Sequence, residues 1–156
     1  MQSEIVVEVT GYCILLDPDL IDMGITTFLE NDCDVVTNVR KLSFPMGMGI
    51  QIFPLSALEE VARTVSDPVV REHVSLYIYE HPERFSLHNV ESGLAEKYWN
   101  LRHTVDTQED FELIRAIFEE LYPKNPAFSL HDVLDLLNLN PELIEINRHI
   151  QQKQVR

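Results

Sequence analysis

Hydrophobic residues in this chain follow a strand-like spacing in some segments and a helix-like spacing in the next, and this alternation limits the folds open to it. The segment EIVVEV, residues 4 to 9, is short, β-branched and apolar on both faces. Such a strand is typical of a sheet with helices packed on both sides, because neither face can be left in water. We therefore predict an α/β fold built around a covered sheet.

The same periodicity predicts the remaining elements. Further strands are expected at residues 34 to 39, 49 to 53, 85 to 90 and 100 to 105. The predicted helices share apolar stripes at helical spacing, and they cover 17 to 30, 55 to 65, 68 to 80, 107 to 122, 129 to 137 and 141 to 150. Without an internal repeat or a low-complexity linker, a single domain over residues 1 to 156 is expected.

Charge and cysteine content exclude several classes of function. Acidic residues outnumber basic ones by 26 to 12, so the formal net charge is −14. Such a surface repels phosphate backbones and anionic lipid, which makes nucleic acid and membranes poor partners. Cys13 and Cys33 lie far apart in apolar segments, which favours free thiols in a reducing compartment. Without a signal-peptide pattern or a membrane-length apolar run, a cytoplasmic protein is expected.

Several segments, taken in order, resemble one known family. They are VEVTGYCILLDPDLID, TNV with FPMGMGIQIF, VREHVSLYI, LRHTVDTQEDFELI and YPKNPAFSLHDVLDLLNLNPELIEIN. They resemble the SpsF-type spore coat polysaccharide family of cytidylyltransferase-like proteins, relatives of the CMP-Kdo and CMP-sialate synthetases. The resemblance implies a three-layer α/β/α mixed sheet, of the Rossmann-like kind found in nucleotide-diphospho-sugar transferases. It covers the later part of the family only, so the expected fold is truncated at its N-terminus and lacks the phosphate-binding loop.

At three positions where the family has carboxylates, this chain has neutral residues. The family's Gly-Asp-Cys-Pro turn uses its Asp to hold Mg²⁺, and Tyr12 stands there instead. Gly49 and Gln51 stand where the family pattern has an Asp and a Glu. A phenol is neutral at pH 7 and is a poor ligand for a hard divalent cation. The resemblance therefore implies that Mg²⁺ binds this chain weakly or not at all.

Other family positions are retained. Asp106 follows an apolar segment and precedes a predicted helix, and it matches another metal-binding Asp of the related synthetases, so it is the candidate catalytic residue and metal ligand. Arg71, Glu72 and His73 match an Arg-Glu-His-Val motif on the sugar side of the family's cleft. Asn38 matches a family Asn at the end of its strand. These residues are the substrate-binding candidates.

Each candidate also has a simpler explanation. Asp106 can serve only to cap the helix that begins at 107, a role worth ~0.5–2 kcal/mol. His73 lies in a helical segment, where a lone histidine is more often packed or solvated than catalytic. Gly47 falls within the Pro-x-Gly pattern and is counted among the substrate-binding candidates, although a turn explains it better.

Two hypotheses for function follow from the resemblance. The first is a cytidylyltransferase-like protein of nucleotide-sugar and surface polysaccharide biosynthesis, with CTP, a small acidic sugar and Mg²⁺ as ligands, and with catalysis impaired in the isolated chain. The second is a non-catalytic relative that acts as a binding or assembly module. For either, the strand at 4 to 9 needs neighbours at its edges, so a homodimer or a complex with a full-length paralogue is expected.

Overall fold

The computed structural model describes residues 4 to 152. They group into two compact units. The first unit comprises residues up to Val9, Pro18–Leu42 and Gly49–Ser92. The second comprises Thr10–Asp17, Ser43–Met48 and the chain from Gly93 onward. The single domain expected from the sequence stays a prediction.

A four-stranded mixed sheet forms the centre of the first unit. Its strands, in chain order, are β1 (Ile5–Glu8), β2 (Val35–Thr37), β3 (Gln51–Pro54) and β4 (Leu87–Asn89). Their order across the sheet is β1-β3-β2-β4, with β3 antiparallel to both of its neighbours and β4 parallel to β2. Strands β1, β2 and β4 therefore share one direction, and their carboxyl ends lie at the same edge of the sheet.

Helices cover both faces of this sheet, because successive side chains of β3 point to opposite sides. Helix α1 (Pro18–Glu30) packs on one face, where Gly24 has no side chain and lets Ile50 and Ile52 lie directly against the helix. On the other face, Phe53 packs with Ala57 of helix α2 (Leu55–Thr64) and Ile78 of helix α4 (Val74–Glu80). The predicted three-layer α/β/α arrangement with a mixed sheet is confirmed.

The single helix predicted over 68 to 80 is wrong. Helix α3 (Pro68–Glu72) ends at His73, whose backbone (φ −118°, ψ 76°) is not helical, and α4 begins at the next residue. Asp67 caps α3 by accepting a hydrogen bond from the backbone N–H of Val69. The break leaves His73 exposed between two short helices rather than on a continuous helical face.

The second unit is helical within the described residues. Helices α5 (Gln108–Leu121) and α6 (Leu130–Leu139) pack through buried apolar residues, and each begins with a capping box. In both boxes a Thr or Ser side chain accepts from a backbone N–H and an Asp three residues later returns the bond. In α5 these two residues are Thr107 and Asp110, and in α6 they are Ser129 and Asp132.

Two predicted elements of this unit are wrong. Residues 100 to 105 form no strand beyond an isolated bridge between Met46 and Arg102, because their backbone groups pair with separate loop segments. The helix expected over 141 to 150 is only α7 (Glu142–Glu145). Asn147 is instead buried, and its amide donates to a carboxylate of α5.

Two further observations concern membrane-spanning helices and the cysteines. Between residues 4 and 152, no helix is both long enough and apolar enough to cross a bilayer. Cys13 and Cys33 are free thiols, and each is half-buried.

Candidate functional site

A row of polar side chains crosses the sheet of the first unit at the carboxyl ends of its parallel strands. The register pairs Glu8 with Gln51, Gln51 with Thr37, and Thr37 with Asn89. Paired residues project to the same face of a sheet, so the four side chains lie on one side of it. We call these four residues the polar row. In α/β proteins, ligands bind outside the carboxyl ends of the strands, which makes this row the candidate site of the unit.

Tyr79 of α4 lies over the polar row and links two of its members. Its hydroxyl donates to Oε1 of Gln51 at 2.6 Å and lies 3.1 Å from Oγ1 of Thr37. Thr37 in turn donates to the carbonyl of Ile50 at 3.1 Å. Burial raises the pKa of Tyr79 to about 12, against a lowering contribution from Thr37, so this phenol remains a neutral donor.

Glu8 is the least satisfied member of the row. Its Oε2 atom is buried and has no hydrogen-bond partner among the described residues. Burial raises the pKa of the carboxyl group, and the nearby charge of His73 opposes that rise. The guanidinium of Arg40 lies 4.9 Å from the ring centroid of Tyr79, which brings a cation to the same region. The polar row and its surroundings therefore contain a partly buried carboxylate, the neutral phenol of Tyr79 and the basic side chains of Arg40 and His73.

The structure places the sequence-predicted residues of this unit in different settings. The charge of His73 acts on the carboxyl group of Glu8, so His73 lies near the polar row. Asn38 is buried, and its Oδ1 accepts from the backbone N–H of Ile50 at 2.9 Å. Arg71 donates to carbonyls at the end of α2, those of Ala62 and Val65.

These contacts separate the candidates of the first unit that bind the backbone from the one that lies near the polar row. The contacts of Arg71 and Asn38 hold the backbone in place, and Glu72 is exposed. A sugar-binding role for these three residues stays a prediction. His73 is the candidate that the structure brings beside the polar row.

In the second unit, the backbone of the Tyr12 turn pairs with the residue before Asp106. The N–H of Val105 donates to the carbonyl of Tyr12 at 3.1 Å. Burial raises the pKa of Cys13, a hydrogen bond from Thr10 lowers it, and the charge of Asp106 raises it further. Tyr12 is 40% exposed, so a side chain at this position is accessible beside Asp106.

The carboxylate of Asp106 is engaged by Arg102, whose Nη2 donates to its Oδ2 at 2.6 Å. The same guanidinium donates from Nε to both oxygens of Asp110, at 2.9 and 3.1 Å, and from Nη1 to the Met46 sulfur and to Gln152. We call Arg102 with Asp106 and Asp110 the guanidinium cluster.

Asp110 is the centre of this cluster. It is fully buried and also accepts from the Asn147 amide and from the backbone N–H groups of Asp106 and Thr107. Burial pushes the pKa of Asp110 upward, but the bonds from Arg102 and Asn147 outweigh it, so the pKa lies below its ordinary value. Bonding to Asp110 likewise raises the pKa of Arg102. The cluster is charged and anchors the start of α5.

The donor set at Asp106 does not fit a resident magnesium ion. Mg²⁺ prefers one or two carboxylates together with phosphate oxygens and water. Here one carboxylate is already ion-paired, and its neighbour in the turn is a phenol. Across residues 4 to 152, no group of three or more His, Cys, Asp or Glu side chains could hold a metal ion. We therefore assign no chemical step to a bound metal.

Gly47 meets a backbone requirement. Its φ is +97°, and a Cβ there would lie 2.8 Å from the carbonyl carbon and oxygen of His103. Both the left-handed conformation and the close approach exclude larger side chains. The turn interpretation of Gly47 is supported, and its role in substrate binding stays a prediction.

His103, next to Arg102, is a buried polar group that the sequence did not indicate. It is completely buried, and neither ring nitrogen has a hydrogen-bond partner among the described residues. Burial alone lowers its pKa to about 4, so the imidazole is neutral at pH 7. The residue is therefore a source of acid sensitivity in the second unit.

Sequence reasoning missed four residues that organise these two regions: Glu8, Tyr79, Arg102 and Asp110. Glu8 had a signal, since it is a charged residue at the end of an otherwise apolar strand. Arg102 had a similar one, as a basic residue inside a segment that resembled a strand. Tyr79 acts through residues distant in sequence, and periodicity carries no trace of those contacts. Asp110 has a local capping role beside Thr107, but its bonds to Arg102 and Asn147 leave no trace in the periodicity.

The fold and these two regions define a mixed α/β protein, and its fold matches that of a solved cytidylyltransferase. A solved cytidylyltransferase from Leptospira borgpetersenii superposes with a TM-score of 0.82 and is 30% identical over 97% of this chain and 61% of its own. This match supports the predicted fold class directly.

Two curated relatives point in the same direction. The Bacillus subtilis spore coat polysaccharide biosynthesis protein SpsF is 27% identical over 91% of this chain and 58% of its own length. An uncharacterized protein of Methanocaldococcus jannaschii is 29% identical over 99% of this chain and 61% of its own. No family model matches the chain. The chain thus spans about three fifths of the length of the proteins it resembles.

Proposed function

We propose that this chain is a cytidylyltransferase-like protein of nucleotide-sugar biosynthesis, of the kind that serves surface polysaccharides. Its similarity to SpsF and to a solved cytidylyltransferase supports this proposal. The polar row and His73 supply the sugar-binding region, with Arg71, Glu72 and Asn38 around it. CTP and a sugar are the proposed substrates, and the small acidic sugar implied by the family is the first to test.

One observation carries the proposal about catalysis: Tyr12 stands beside Asp106, where the family has a second carboxylate. Nucleotidyl transfer depends on positioning the triphosphate and neutralising its developing charge, usually with a metal ion held by carboxylates. Asp106 and Tyr12 do not offer Mg²⁺ the carboxylate pair that this neutralisation needs. Since Arg102 already pairs with Asp106, the isolated chain is proposed to be catalytically impaired.

Pyrophosphate release from CTP tests this directly, with Mg²⁺ and either a Kdo-like or a sialate-like sugar present. The wild-type chain is expected to show no measurable turnover. The variant Tyr12→Asp restores the carboxylate beside Asp106 and should bind Mg²⁺ more tightly by calorimetry than the wild type does. Tyr12→Phe is the matched control, because it changes the same side chain without adding charge. Robust wild-type turnover that disappears in Asp106→Ala would refute the impairment.

A non-catalytic binding or assembly module is the second candidate, and the edge of the sheet favours it. Within the described residues, β1 pairs with β3 alone, so its other side presents backbone groups that can add a strand. A homodimer or a complex with a full-length paralogue would satisfy that edge. Light scattering at tens of micromolar is expected to show self-association. A stable monomer that binds no paralogue would count against this second function.

A further inference from the structure

We propose that Glu8 determines the specificity of the polar row, selecting a sugar that presents a hydrogen-bond donor there, an amino or hydroxyl group, over one that presents a carboxylate. The inference rests on the proposed sugar-binding function and departs from the acidic sugar that the family resemblance implies.

The first reason is that the hydroxyl donors around Glu8 are already used by other acceptors. The hydroxyl hydrogen of Tyr79 goes to Gln51, and Thr37 donates to the carbonyl of Ile50. Oε2 of Glu8 is left buried with no donor among the described residues. A buried carboxylate oxygen without a partner is costly, and an ionised carboxylate can only accept hydrogen bonds. A ligand that brings a donor removes that cost on binding.

Glu8 lies at the side of the sheet from which a ligand of the polar row would approach. Glu8 is the last residue of β1, at the edge where α/β folds bind ligands, and the residue as a whole is only partly buried. Because its register partner Gln51 is held by Tyr79, the neighbouring surface is fixed in place. A sugar hydroxyl or amino group at the mouth of the row would therefore meet a preorganised acceptor.

Charge is the second reason. A ligand carboxylate placed against Glu8 would bring two like charges together in a partly buried site, where screening is weak. Two basic groups oppose this effect. Arg40 lies over the ring of Tyr79, and the charge of His73 acts on Glu8. If these cations govern recognition, an acidic sugar binds better, so the two interpretations predict opposite preferences.

Three monosaccharides with the same ring decide between them. Glucosamine, glucose and glucuronate present an ammonium, a hydroxyl and a carboxylate, and NMR titration of the folded full chain gives a dissociation constant for each. Because hydrogen bonds to charged groups are stronger than neutral ones, we expect the wild type to bind glucosamine about tenfold more tightly than glucuronate. Glucose should fall between them.

Variants assign the preference to Glu8. Glu8→Gln keeps the shape and one acceptor but removes the charge, so the tenfold ratio should fall to about threefold or less. Glu8→Asp keeps the charge on a shorter side chain and should retain part of the ratio. Glu4→Gln, an exposed residue just before β1, is the control and should leave the ratio unchanged. A thermal melt confirms that each variant is folded.

Several results would overturn the inference. They are tighter binding of glucuronate than glucosamine by the wild type, an unchanged ratio in Glu8→Gln, or no binding of any of the three sugars. Pyrophosphate release by the wild-type chain is measured separately. Loss of the Glu8-dependent preference with no turnover refutes this inference alone, whereas the preference together with robust turnover refutes the proposed catalytic impairment alone.

Discussion

The guanidinium cluster and the polar row are both built from charged and polar side chains, yet their hydrogen bonding differs. In the cluster, each guanidinium nitrogen of Arg102 donates to a named acceptor, and Asp110 accepts from four groups. In the row, Glu8 keeps a buried oxygen with no partner among the described residues. A saturated network stabilises a fold, whereas an unsaturated one is suited to a ligand.

The largest effect is expected at Asp110 of the guanidinium cluster. Asp110→Ala leaves the buried guanidinium of Arg102 without its main partner, which should cost about 3–5 kcal/mol of unfolding free energy. Asp132→Ala is the matched control, because Asp132 holds the same place in the capping box of α6 but is exposed. Urea denaturation should show a much smaller loss for the control. Equal losses would mean that helix capping, and not the ion pair, explains Asp110.

The next effect concerns acid and His103. The unfolded chain takes up a proton on this residue below pH 6.5, but the folded chain does so only near pH 4. Stability is therefore lost as the pH falls through that window, by roughly 3 kcal/mol from this residue. Unfolding free energies from pH 7 to pH 4 should fall less steeply in His103→Leu. His131→Leu, at an exposed position of α6, should keep the wild-type slope, and identical slopes in all three proteins would refute the role of His103.

A smaller effect is expected at Tyr79, which connects the polar row. Tyr79→Phe removes one donor and leaves Gln51 and Thr37 without it, so a loss of about 1–2 kcal/mol is expected. Tyr122→Phe, at an exposed tyrosine of the second unit, should change thermal stability far less. No difference between the two variants would show that the row is already open to water.

The smallest expected effect is a pH-dependent change in stability when Glu8 is replaced. Burial raises the pKa of Glu8 above the ordinary 4.5, so ionising it costs stability in the folded state. Below pH 4.5 the group is protonated in both states, and the penalty develops as the pH rises toward the folded pKa. Glu8→Gln should therefore gain stability relative to wild type as the pH rises from 4 to 7. A constant difference across that range would mean that Glu8 is solvated like an exposed carboxylate.

Much of the fold was readable from the chain because hydrophobic spacing reports burial directly. The strands at residues 5–8, 35–37 and 87–89 fall within predicted segments, as do α1 and α5, and the strand at 51–54 overlaps the one predicted at 49 to 53. The capping box at Thr107 was also readable, since its two partners are three residues apart. Local signals of this kind depend on neighbours in sequence.

Segments whose backbone pairs with distant loops were predicted less well. Residues 100 to 105 have the composition of a strand. Their backbone groups instead form separate hydrogen bonds with Met46 and Tyr12, which belong to two different loop segments. The chain leaves the helix after α7, and the side-chain amide of the buried Asn147 donates a hydrogen bond to Asp110. Neither partner lies close enough in sequence for periodicity to show it.

The sequence by itself determined the α/β class and the positions of most helices and strands. Only the tertiary structure decided that Asp106 is ion-paired with Arg102, and that Glu8 joins Gln51 at one edge of the sheet. The physical reason is that periodicity encodes which face of a segment is buried. Pairing of charges and hydrogen-bond donors depends instead on distances between residues that the chain brings together only on folding.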